Sequence, residues 1–344
     1  MTKDTLLPQR KNDHLRINLE NDVDSGITTG FERYRFIHKA LPDIDLKLVQ
    51  TNTIFLGRKL NAPILISSMT GGTEKARVLN QQLAAAAEEH GVAIGVGSQR
   101  AVVEDPNAAR SFSIVRKFAP NTLVFANLGA VQLNYGYNID TCREIVDLLQ
   151  ADGLYLHLNP LQEALQIEGQ TNFSGLLAKI EAVCTTLEVP VLVKEVGWGL
   201  DVETARHLVD AGVQVLDIAG AGGTSWSKVE KIRAQDHMLQ EVADAFDTWG
   251  IPTASALVKL RDSFPKLPII ASGGIQNGVD AAKSIALGAD LAGAARPFLL
   301  AASQSENGAS RALAIFIQQM RTAMFVSGCA SLLDLRSKQV LESY

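Results

Sequence analysis

The chain has 344 residues, of which 47% are hydrophobic and 20% charged, enough for one large α/β barrel or for two domains. Its 32 Lys+Arg against 37 Asp+Glu give a net charge of −5, which argues against non-specific nucleic-acid binding. The three cysteines lie far apart and form no C-x-x-C pattern, which disfavours a disulfide scaffold, an iron–sulfur cluster and a cysteine zinc site.

Residues 1–60 are predicted to form an N-terminal arm and pre-barrel segment, and residues 61–344 a single catalytic barrel. Charged residues recur from Lys3 to Glu20, so this stretch does not have the pattern of a signal peptide. No later apolar run is long enough for a membrane span, and we therefore expect a cytoplasmic protein. Arg10 and Lys11 in the arm are either part of a solvated, frayed terminus or ligands brought to a distant site.

From about residue 62 onward, short apolar runs alternate with segments of helical spacing. The runs cover residues 64–67, 93–96, 123–126, 154–158, 191–194, 215–219, 269–271 and 291–294, and the clearest helical segments are 74–90, 201–211, 279–287 and 311–326. Eight apolar runs separated by helices indicate a parallel sheet covered on both faces. Eight such units close into a barrel more readily than into an open sheet, so we predict an α/β fold with a single (β/α)₈ TIM barrel.

Two connections are longer than the others, at residues 159–189 and 220–268. The first contains a polar loop at 166–175, and the second contains an extra helical region at 231–246. Loops of this length inside a compact domain are usually functional or disordered. Because they follow strands, we expect them to extend over the carboxyl-terminal face of the barrel, where barrel enzymes place their active sites.

The fourth run ends in the sequence His-Leu-Asn-Pro-Leu-Gln-Glu, which combines an imidazole, two amides and a carboxylate. Side chains alternate along a strand, so His157 and Asn159 are expected on one side. Pro160 cannot continue a central strand, and we expect Gln162 and Glu163 to project from the loop that follows. A strand end whose polar groups only form local hydrogen bonds is the structural alternative.

Glycine pairs follow the sixth and seventh runs, at Gly222-Gly223 and Gly273-Gly274. A further glycine and alanine segment lies around Gly293 in the eighth run. Loops at these three positions of a barrel commonly bind phosphate through backbone N–H groups, and glycine allows the close approach. One glycine pair would be weak evidence, but three at neighbouring strand ends favour a phosphate site.

Charged side chains also follow the strands. Lys194 ends an otherwise apolar run, so its ammonium would project into the barrel mouth and need an anionic partner: a ligand, or a carboxylate such as that of Glu195. Arg100 is a second candidate anion ligand. Glu163 would then lie among phosphates, which is reasonable mainly if a divalent metal ion lies between them.

Together these segments resemble type 2 isopentenyl-diphosphate isomerase, the flavin-dependent form, over nearly the whole chain. The resemblance is carried by Arg10-Lys11, Met69-Thr70-Gly71-Gly72, Gly97-Ser98-Gln99-Arg100, the stretch from His157 to Glu163, Val193-Lys194-Glu195-Val196-Gly197-Trp198-Gly199, the stretch from Ala219 to Trp226, and Ser272-Gly273-Gly274. The His157 and Val193 stretches are the specific signals, because the glycine pairs alone would not identify a family.

The resemblance implies an FMN on the barrel mouth and a role for each site residue. The residues implied for the flavin ring and ribityl chain are Ser67, Ser68, Met69, Thr70, Ser98, Asn127 and Lys194, and those for its phosphate are Thr224, Gly273, Gly274, Ala294 and Ala295. The residues implied around the substrate are Arg10, Lys11, Ser98, Arg100, His157, Asn159 and Gln162, with His157 and Gln162 as catalytic residues. Glu163 would bind Mg²⁺.

The implied reaction converts isopentenyl to dimethylallyl diphosphate without net redox change, with reduced FMN as the acid–base cofactor, Mg²⁺, and NADPH as the flavin reductant. The resemblance also implies a homotetramer or homo-octamer, with no nucleic acid or membrane partner. The arm would have to fold over a catalytic face, on its own barrel or a neighbour's, and we expect it to be mobile until substrate binds.

Two other classes of function are less well supported: another enzyme on the same kind of barrel, and a binding protein without catalysis. An FMN oxidase of 2-hydroxy acids would carry a His–Arg pair in the loop from Ala219 to Trp226, and a nucleotide dehydrogenase would carry a loop cysteine near Gly222; this chain has neither. A flavin- or phosphate-binding protein without catalysis would leave His157, Gln162 and Glu163 without a role.

Overall fold

The computed structural model describes residues 3–344 of the chain, and side-chain surroundings from residue 9 onward. Before the barrel lie a helix, α1 (Lys3–Glu20), and three short strands, β1 (Tyr34–Phe36), β2 (Thr53–Phe55) and β3 (Arg58–Leu60). The helix covers the first third of the predicted arm and pre-barrel segment, of which Met1 and Thr2 lie outside the described residues. No helix of this described part of the chain is long and apolar enough to cross a membrane.

Eight parallel strands close into a barrel, which confirms the predicted (β/α)₈ fold. In chain order the strands are β4 (Ile64–Ile66), β5 (Ala93–Gly95), β6 (Val124–Gly129), β7 (Gly153–His157), β8 (Val191–Lys194), β9 (Val215–Asp217), β10 (Ile269–Ser272) and β11 (Leu291–Ala294). Each strand pairs with its neighbour in sequence, and β11 pairs with β4 to complete the ring. All eight coincide with the predicted apolar runs to within a few residues, because both faces of each strand are buried.

Helices surround the strands and follow the predicted spacing. They are α2 (Glu74–His90), α3 (Arg100–Glu104), α4 (Arg110–Phe118), α5 (Ile139–Leu149), α6 (Pro160–Leu165), α7 (Leu176–Thr186), α8 (Val202–Asp210), α9 (Trp226–Arg233), α10 (His237–Asp244), α11 (Thr253–Ser263), α12 (Gly278–Ala286), α13 (Arg296–Gln304), α14 (Gly308–Val326) and α15 (Leu332–Ser337). The extra helical region expected at 231–246 is two helices, α9 and α10, interrupted at 234–236. A last strand, β12 (Leu341–Ser343), pairs antiparallel with β1.

The bounds of α2 illustrate how local sequence positions a helix. The side chain of Thr73 accepts a hydrogen bond from the backbone N of Ala76 and caps the N-terminus, and Gly91 adopts a left-handed φ of 62° at the C-terminus. Leu79 and Leu83 face the strands between these ends. The predicted segment 74–90 therefore matches this helix at both ends.

Inside the barrel, apolar side chains occupy the lower part and polar side chains occupy the top. The lower residues form one core cluster: Leu65, Ala93, Leu123, Phe125, Tyr155, Leu192, Val215, Ile270 and Leu291. Phe55 and Leu60 of the β2–β3 hairpin pack into the same cluster and fill the lower end of the barrel. Two residues further along, the inward positions of six strands carry polar groups and those of β5 and β11 carry Gly95 and Gly293, as the two-residue period of a strand requires.

Candidate active site

A cavity of about 270 Å³ opens at the carboxyl-terminal end of the barrel. Every site residue predicted from the sequence lines it: Arg10, Lys11, Ser67, Ser68, Met69, Thr70, Ser98, Arg100, Asn127, His157, Asn159, Gln162, Glu163, Lys194, Thr224, Gly273, Gly274, Ala294 and Ala295. The fold therefore brings all of these residues to one cavity.

His157 and Lys194 enter the cavity from the ends of neighbouring strands, where they are paired in register. Asn127 occupies the inward position of β6 beside them, and its amide donates to the carbonyl of Val96 (3.0 Å). That bond turns Asn127 Oδ1 toward His157 Nδ1 at 2.8 Å, so the imidazole carries its proton on Nδ1. His157 Nε2 is then an acceptor when the ring is neutral.

The neutral form of His157 is strongly favoured. Burial, together with the ammonium groups of Lys194 and Lys11, lowers the pKa of this imidazole to about 3. At neutral pH His157 can therefore accept a hydrogen bond or orient a ligand, but it has no second proton to donate as an imidazolium would.

Lys194 is buried and its ammonium donates to the backbone carbonyl of Glu195 at 2.6 Å. The Glu195 carboxylate lies on the other side of the strand and accepts from the backbone N–H groups of Val196, Gly197 and Trp198. Among the residues with described side chains, no carboxylate lies within ion-pair distance of Lys194, and the salt bridge considered above is not formed. Burial lowers the pKa of Lys194. Because the ammonium has no carboxylate within ion-pair distance among these residues, an anionic ligand in the cavity would both stabilise this charge and be stabilised by it.

The glycine corner, defined here as residues 220–224 with Gly273 and Gly274, is a tight packing of backbone on backbone. A Cβ on Gly223 would lie 2.5 Å from the backbone N of Gly274, and a Cβ on Gly274 would lie 2.4 Å from the carbonyl of Gly222. Gly274 also has a φ of 72°, a conformation that favours glycine. A side chain at either position would displace the loops that bring their N–H groups to the cavity.

The pre-barrel segment supports this corner from outside. Ser25 donates its backbone N–H to the carbonyl of Gly223 (2.7 Å), and Ser225 donates to that of Val23 (2.7 Å). Arg296, at the start of α13, donates to a carboxylate oxygen of Asp24 at 2.6 Å. The sequence alone did not connect residues 21–29 with the phosphate corner, because the contact depends on two segments about 200 residues apart.

Helix α1 lies over the mouth of its own barrel, one of the two catalytic faces that the arm was expected to cover. Lys11 Nζ donates to the backbone carbonyl of Ser98 at 2.8 Å, and its ammonium also lies 5.3 Å from the centre of the Phe112 ring. His14 Nε2 lies 2.9 Å from a carboxylate oxygen of Glu230 on α9. Arg10 and Lys11 therefore lie on a helix that contacts the cavity, and the expected mobility of the arm before substrate binds stays a prediction.

Arg10, Lys11 and Arg100 form the cation cluster on the side of the mouth opposite the glycine corner. Arg100 is paired with Glu104 (Nε–Oε1 2.6 Å). Burial and the charge of Arg10 lower the pKa of Lys11 to about 7, and Arg100 lowers the pKa values of both arm residues further. Like charges held together under burial repel one another unless an anion compensates them, so this cluster is suited to a multiply charged anion.

Gln162 and Glu163 lie on helix α6, so the prediction that a loop presents them is wrong. Pro160 occupies the first turn of that helix, where its missing N–H costs nothing. Asn159 Nδ2 donates to Gln162 Oε1 (3.1 Å) and to Glu163 Oε1 (3.0 Å). The other Glu163 oxygen accepts from the backbone N of Gln170 at 2.5 Å, which ties the polar loop at 166–175 to the site.

Sequence reasoning missed other residues of this site. Glu230 is buried and accepts from both His14 and Gln162, yet on the sequence it reads as one of several acids in a surface helix. Gln132, which also lines the cavity, donates to Gln170 at 3.0 Å. Asp217 is fully buried beneath the cavity and was interpreted as part of an apolar strand. A charged residue inside an apolar run was the available signal for Asp217.

Comparison with known proteins agrees with this site and fold. A protein-family model described as FMN-dependent dehydrogenase matches residues 158–342, more than half of the chain. Among solved structures, a mandelate oxidase variant with benzaldehyde superposes with a TM-score of 0.68 at 20% identity, covering 98% of this chain and 95% of that one. At this identity the likeness shows the fold alone. The family match makes the chain a member of the FMN-dependent dehydrogenase family.

Full-length relatives narrow the class. The chain is 52% identical to an isopentenyl-diphosphate delta-isomerase of Nostoc sp., over 97% of this chain and 95% of the relative. It is 47% identical to one of Rickettsia bellii (96% and 97% covered) and 48% identical to one of Rickettsia africae (99% of each). Within its family the chain therefore belongs to the isopentenyl-diphosphate delta-isomerases, and the resemblance identified from its motifs is confirmed.

The cavity has the features that an FMN would require. Ser67 Oγ and Ser68 Oγ are buried at the cavity wall without a hydrogen-bond partner among the described residues. Lys194 offers a positive charge from below, and the glycine corner offers backbone N–H groups that a Cβ would obstruct. Orphaned polar atoms, a buried cation and a glycine-lined corner together fit a polar ring system with a phosphate tail.

The donor set at Glu163 fits a divalent cation only with help from a ligand. Glu163 contributes carboxylate oxygens, and the neighbouring Asn159 Oδ1 is buried without a partner in this part of the structure. No group of three or more His, Cys, Asp or Glu residues suited to a metal occurs within the described residues. Hard oxygen ligands of this kind match Mg²⁺, whose remaining positions would come from phosphate oxygens and water.

Proposed function

We propose that this protein isomerises isopentenyl diphosphate to dimethylallyl diphosphate, with reduced FMN as acid–base cofactor and no net redox change. The observation that carries the proposal is the cation cluster of Arg10, Lys11 and Arg100, which converges beside Glu163 at the mouth of an FMN-type barrel. These groups suit a second phosphorylated ligand besides FMN. An oxidase of small hydroxy acids binds no such ligand and would not need three cations and a carboxylate there. The names and full-length similarity of the relatives support the same reaction.

In the proposal, the residues that would hold the FMN ring are Ser67, Ser68, Met69, Thr70, Ser98, Asn127 and Lys194. Those that would hold its phosphate are Thr224, Gly273, Gly274, Ala294 and Ala295. When bound and reduced, FMN supplies the acid–base group, since the imidazole at the strand ends, His157, is neutral with a pKa of about 3. Lys194 stabilises the negative charge of the reduced ring.

The protein's own part in the reaction is to hold a substrate whose hydrocarbon portion has no polar handle. Arg10, Lys11 and Arg100 bind the diphosphate, and Ser98 and Asn159 line the same side. His157 and Gln162 are proposed to act at the reacting end as orienting groups: His157 Nε2 accepts, and Asn159 fixes the Gln162 amide. Binding energy from the charged end then positions the alkene.

Glu163 is proposed to bind Mg²⁺ together with diphosphate oxygens. The ion would also relieve the charge that a diphosphate brings next to a carboxylate. Because Asn159 and the loop at 166–175 both contact Glu163, metal binding would also order this side of the mouth. The metal assignment therefore predicts a role that is separate from flavin binding.

The remaining proposals concern context. NADPH is proposed as the reductant of the flavin, and a homotetramer or homo-octamer as the assembly, both from the family resemblance. Three free cysteines, two of them buried, are in keeping with a reducing, cytoplasmic environment. The division into an arm and pre-barrel segment at 1–60 and a barrel at 61–344 is likewise proposed.

The test is an anaerobic incubation of the purified protein with isopentenyl diphosphate, FMN, NADPH and Mg²⁺, followed by product analysis. We expect dimethylallyl diphosphate to accumulate over many turnovers for each NADPH consumed, because the reaction needs a reduced cofactor but no net electrons. Parallel reactions without reductant and with a metal chelator should be nearly inactive. Product formation in a one-to-one ratio with NADPH consumption would instead indicate an oxidoreductase.

A further inference from the structure

Asp217 lies in the polar top layer of the barrel, directly beneath the cavity but outside its lining. It ends β9 and pairs in register with Lys194 on β8, so both side chains point into the barrel. Its residue is 0% exposed, and nothing in the site described so far uses it. A fully buried carboxylate is costly unless it is compensated, so its position calls for an explanation.

The Asp217 carboxylate is held by a directed chain of hydrogen bonds. The backbone N–H of Ala219 donates to Ser272 Oγ (3.1 Å), and Ser272 Oγ in turn donates to Asp217 Oδ1 (2.5 Å). Because the serine oxygen already accepts from Ala219, its proton is directed at the carboxylate. Asp217 Oδ2 and the hydroxyl of Tyr155 are both buried without a partner in the described structure. Ser272 thus fixes one oxygen, and the Tyr155 hydroxyl lies close enough to the carboxylate to lower the pKa of Asp217, which burial raises.

Lys194 has no other suitable counter-charge. Its ammonium contacts only a backbone carbonyl, and the Glu195 carboxylate points to the opposite side of the strand, where backbone N–H groups occupy it. Burial raises the pKa of both carboxyl groups, that of Glu195 to about 7. For Asp217 the charge of Lys194 and the hydrogen bond from Ser272 act in the opposite direction and favour the carboxylate. Glu195 contributes to the charge of Lys194 less than Asp217 does. Asp217 is the acid that shares the inward layer with Lys194, and its charge raises the pKa of Lys194 against the effect of burial.

We propose that Asp217 is a positioning residue whose buried negative charge keeps Lys194 protonated beneath the flavin ring. The ammonium is then available to the anionic reduced ring over the whole working pH range. This inference rests on the proposed flavin site. Asp217 touches neither the ring nor the substrate, and it acts only through Lys194.

The test is the midpoint potential of the bound flavin in Asp217→Asn, measured against the unmodified holoenzyme from about pH 6 to about pH 9. At the acid end Lys194 is protonated in both proteins, so removing a nearby negative charge makes reduction easier and shifts the potential positive. Toward the alkaline end Lys194 of the variant, which lacks the charge of Asp217 that raises its pKa, loses its proton before Lys194 of the unmodified protein does, so the nearer positive charge disappears and the potential shifts negative. We expect the shift to change sign across the range.

Lys194→Arg provides the matched background, because a guanidinium stays charged without help. In that background Asp217→Asn should give a positive shift at every pH, with no change of sign. A uniform positive shift in the Lys194 protein, or no shift at all, would overturn the inference. If Asp217→Asn does not fold, Asp217→Ser takes its place, since a hydroxyl can still accept from Ser272.

Failure of the flavin site itself would look different. If the proposed site is wrong, Lys194→Met will have the same flavin potential as the unmodified protein, or the purified protein will bind no FMN. If the site is right and only the role of Asp217 is wrong, Lys194→Met will shift the potential while Asp217→Asn shows no change of sign.

Discussion

The two sides of the barrel mouth are both suited to phosphate groups, but they are built differently. The glycine corner uses backbone N–H groups and carries no side-chain charge at Gly223 or Gly274. The cation cluster uses the side chains of Arg10, Lys11 and Arg100, which come from helix α1 and from the start of α3. The first is part of the rigid barrel, and the second forms only when α1 lies over the mouth.

The two sites differ in the electrostatic free energy that each one costs before its ligand binds. Backbone dipoles fixed by packing repel nothing, so the glycine corner can be fully formed at all times. In the cation cluster, burial and then repulsion from Arg10 lower the pKa of Lys11 to about 7, so the empty site is electrostatically unfavourable. A permanently bound cofactor suits the first arrangement, and an exchanging, highly charged substrate suits the second. The following variants separate the two.

The largest effect is expected from removing the arm cations. Arg10→Ala combined with Lys11→Ala deletes two charge-assisted contacts, each worth about 1.5–3 kcal/mol, so kcat/KM should fall by roughly a thousandfold. FMN affinity should stay unchanged, since these residues lie across the mouth from the glycine corner. Arg16→Ala is the control on the same helix, because this side chain is half exposed and pairs with Asp13. Equal losses in both variants would contradict the assignment.

Deleting residues 1–14 should have the same effect as the double variant. We expect a folded barrel that binds FMN and has very low isomerase activity. Limited proteolysis of the full chain should show an arm that is cleaved readily without substrate and protected by isopentenyl diphosphate with Mg²⁺. The same cleavage rate in both conditions would show that α1 does not respond to the substrate.

A smaller effect, confined to the cofactor, is expected from Gly274→Ala. Its Cβ would collide with Thr29 Cγ2 and with the Gly222 carbonyl, and its φ of 72° is unfavourable for alanine. We expect the Kd for FMN to rise by about a hundredfold, while binding of inorganic pyrophosphate is retained. Gly57→Ala is the matched control, because Gly57 has a φ of 76° but open space around its Cβ position. A comparable rise of the FMN Kd in both variants would show that backbone strain, and not the collision in the glycine corner, causes the loss.

Glu163→Gln should act on the metal and leave the flavin in place. Losing the carboxylate charge should raise the Mg²⁺ concentration needed for half-maximal activity by about tenfold, together with the KM for the substrate. Glu168→Gln is the control, since Glu168 pairs with Arg233 and does not line the cavity. Release of FMN with an unchanged Mg²⁺ response would contradict the metal assignment.

The smallest effect concerns pH. The pKa of Lys11 is about 7 without ligand, and a bound diphosphate must raise it. At any pH between the pKa of the free site and that of the occupied site, binding therefore takes up a proton. The Kd for inorganic pyrophosphate should therefore increase above pH 7, by at most about tenfold for each pH unit. Lys11→Arg, which stays charged, should flatten this dependence in calorimetric titrations. A pH-independent Kd in the unmodified protein would show that Lys11 does not titrate with the ligand.

The barrel was predictable because its signals are local and repeated. Each strand is an apolar run buried on both faces, and helices such as α2 begin and end at capping residues visible in the sequence. Helix α1 was not predicted, since it contains Pro8 and lacks a continuous apolar stripe. Leu15 and Ile17 are buried only because α1 docks on the barrel. Its position depends on distant contacts, such as that of Lys11 with Ser98, which have no sequence signature.

The candidate site shows the same division. Residues at strand ends, such as His157 and Lys194, were identified because a barrel brings all its strand ends to one cavity. Glu230 was not, because its importance follows from burial beside particular partners, and Asp217 was missed although it occupies the same inward strand position as Lys194. The position of Gln162 was correct while its secondary structure was not, since a proline can begin a helix as readily as a turn.

The β2–β3 hairpin has a kinetic consequence. Phe55 and Leu60 fill the lower end of the barrel with hydrocarbon, so the cofactor site is approached from the upper end alone within the described structure. Under the proposed function, a reductant and the substrate would use this entrance in turn, and the reductant would leave before α1 closes over the alkene. Progress curves should then show a lag before full activity. The lag should lengthen at high isopentenyl diphosphate, because bound substrate blocks the access of the reductant to the flavin.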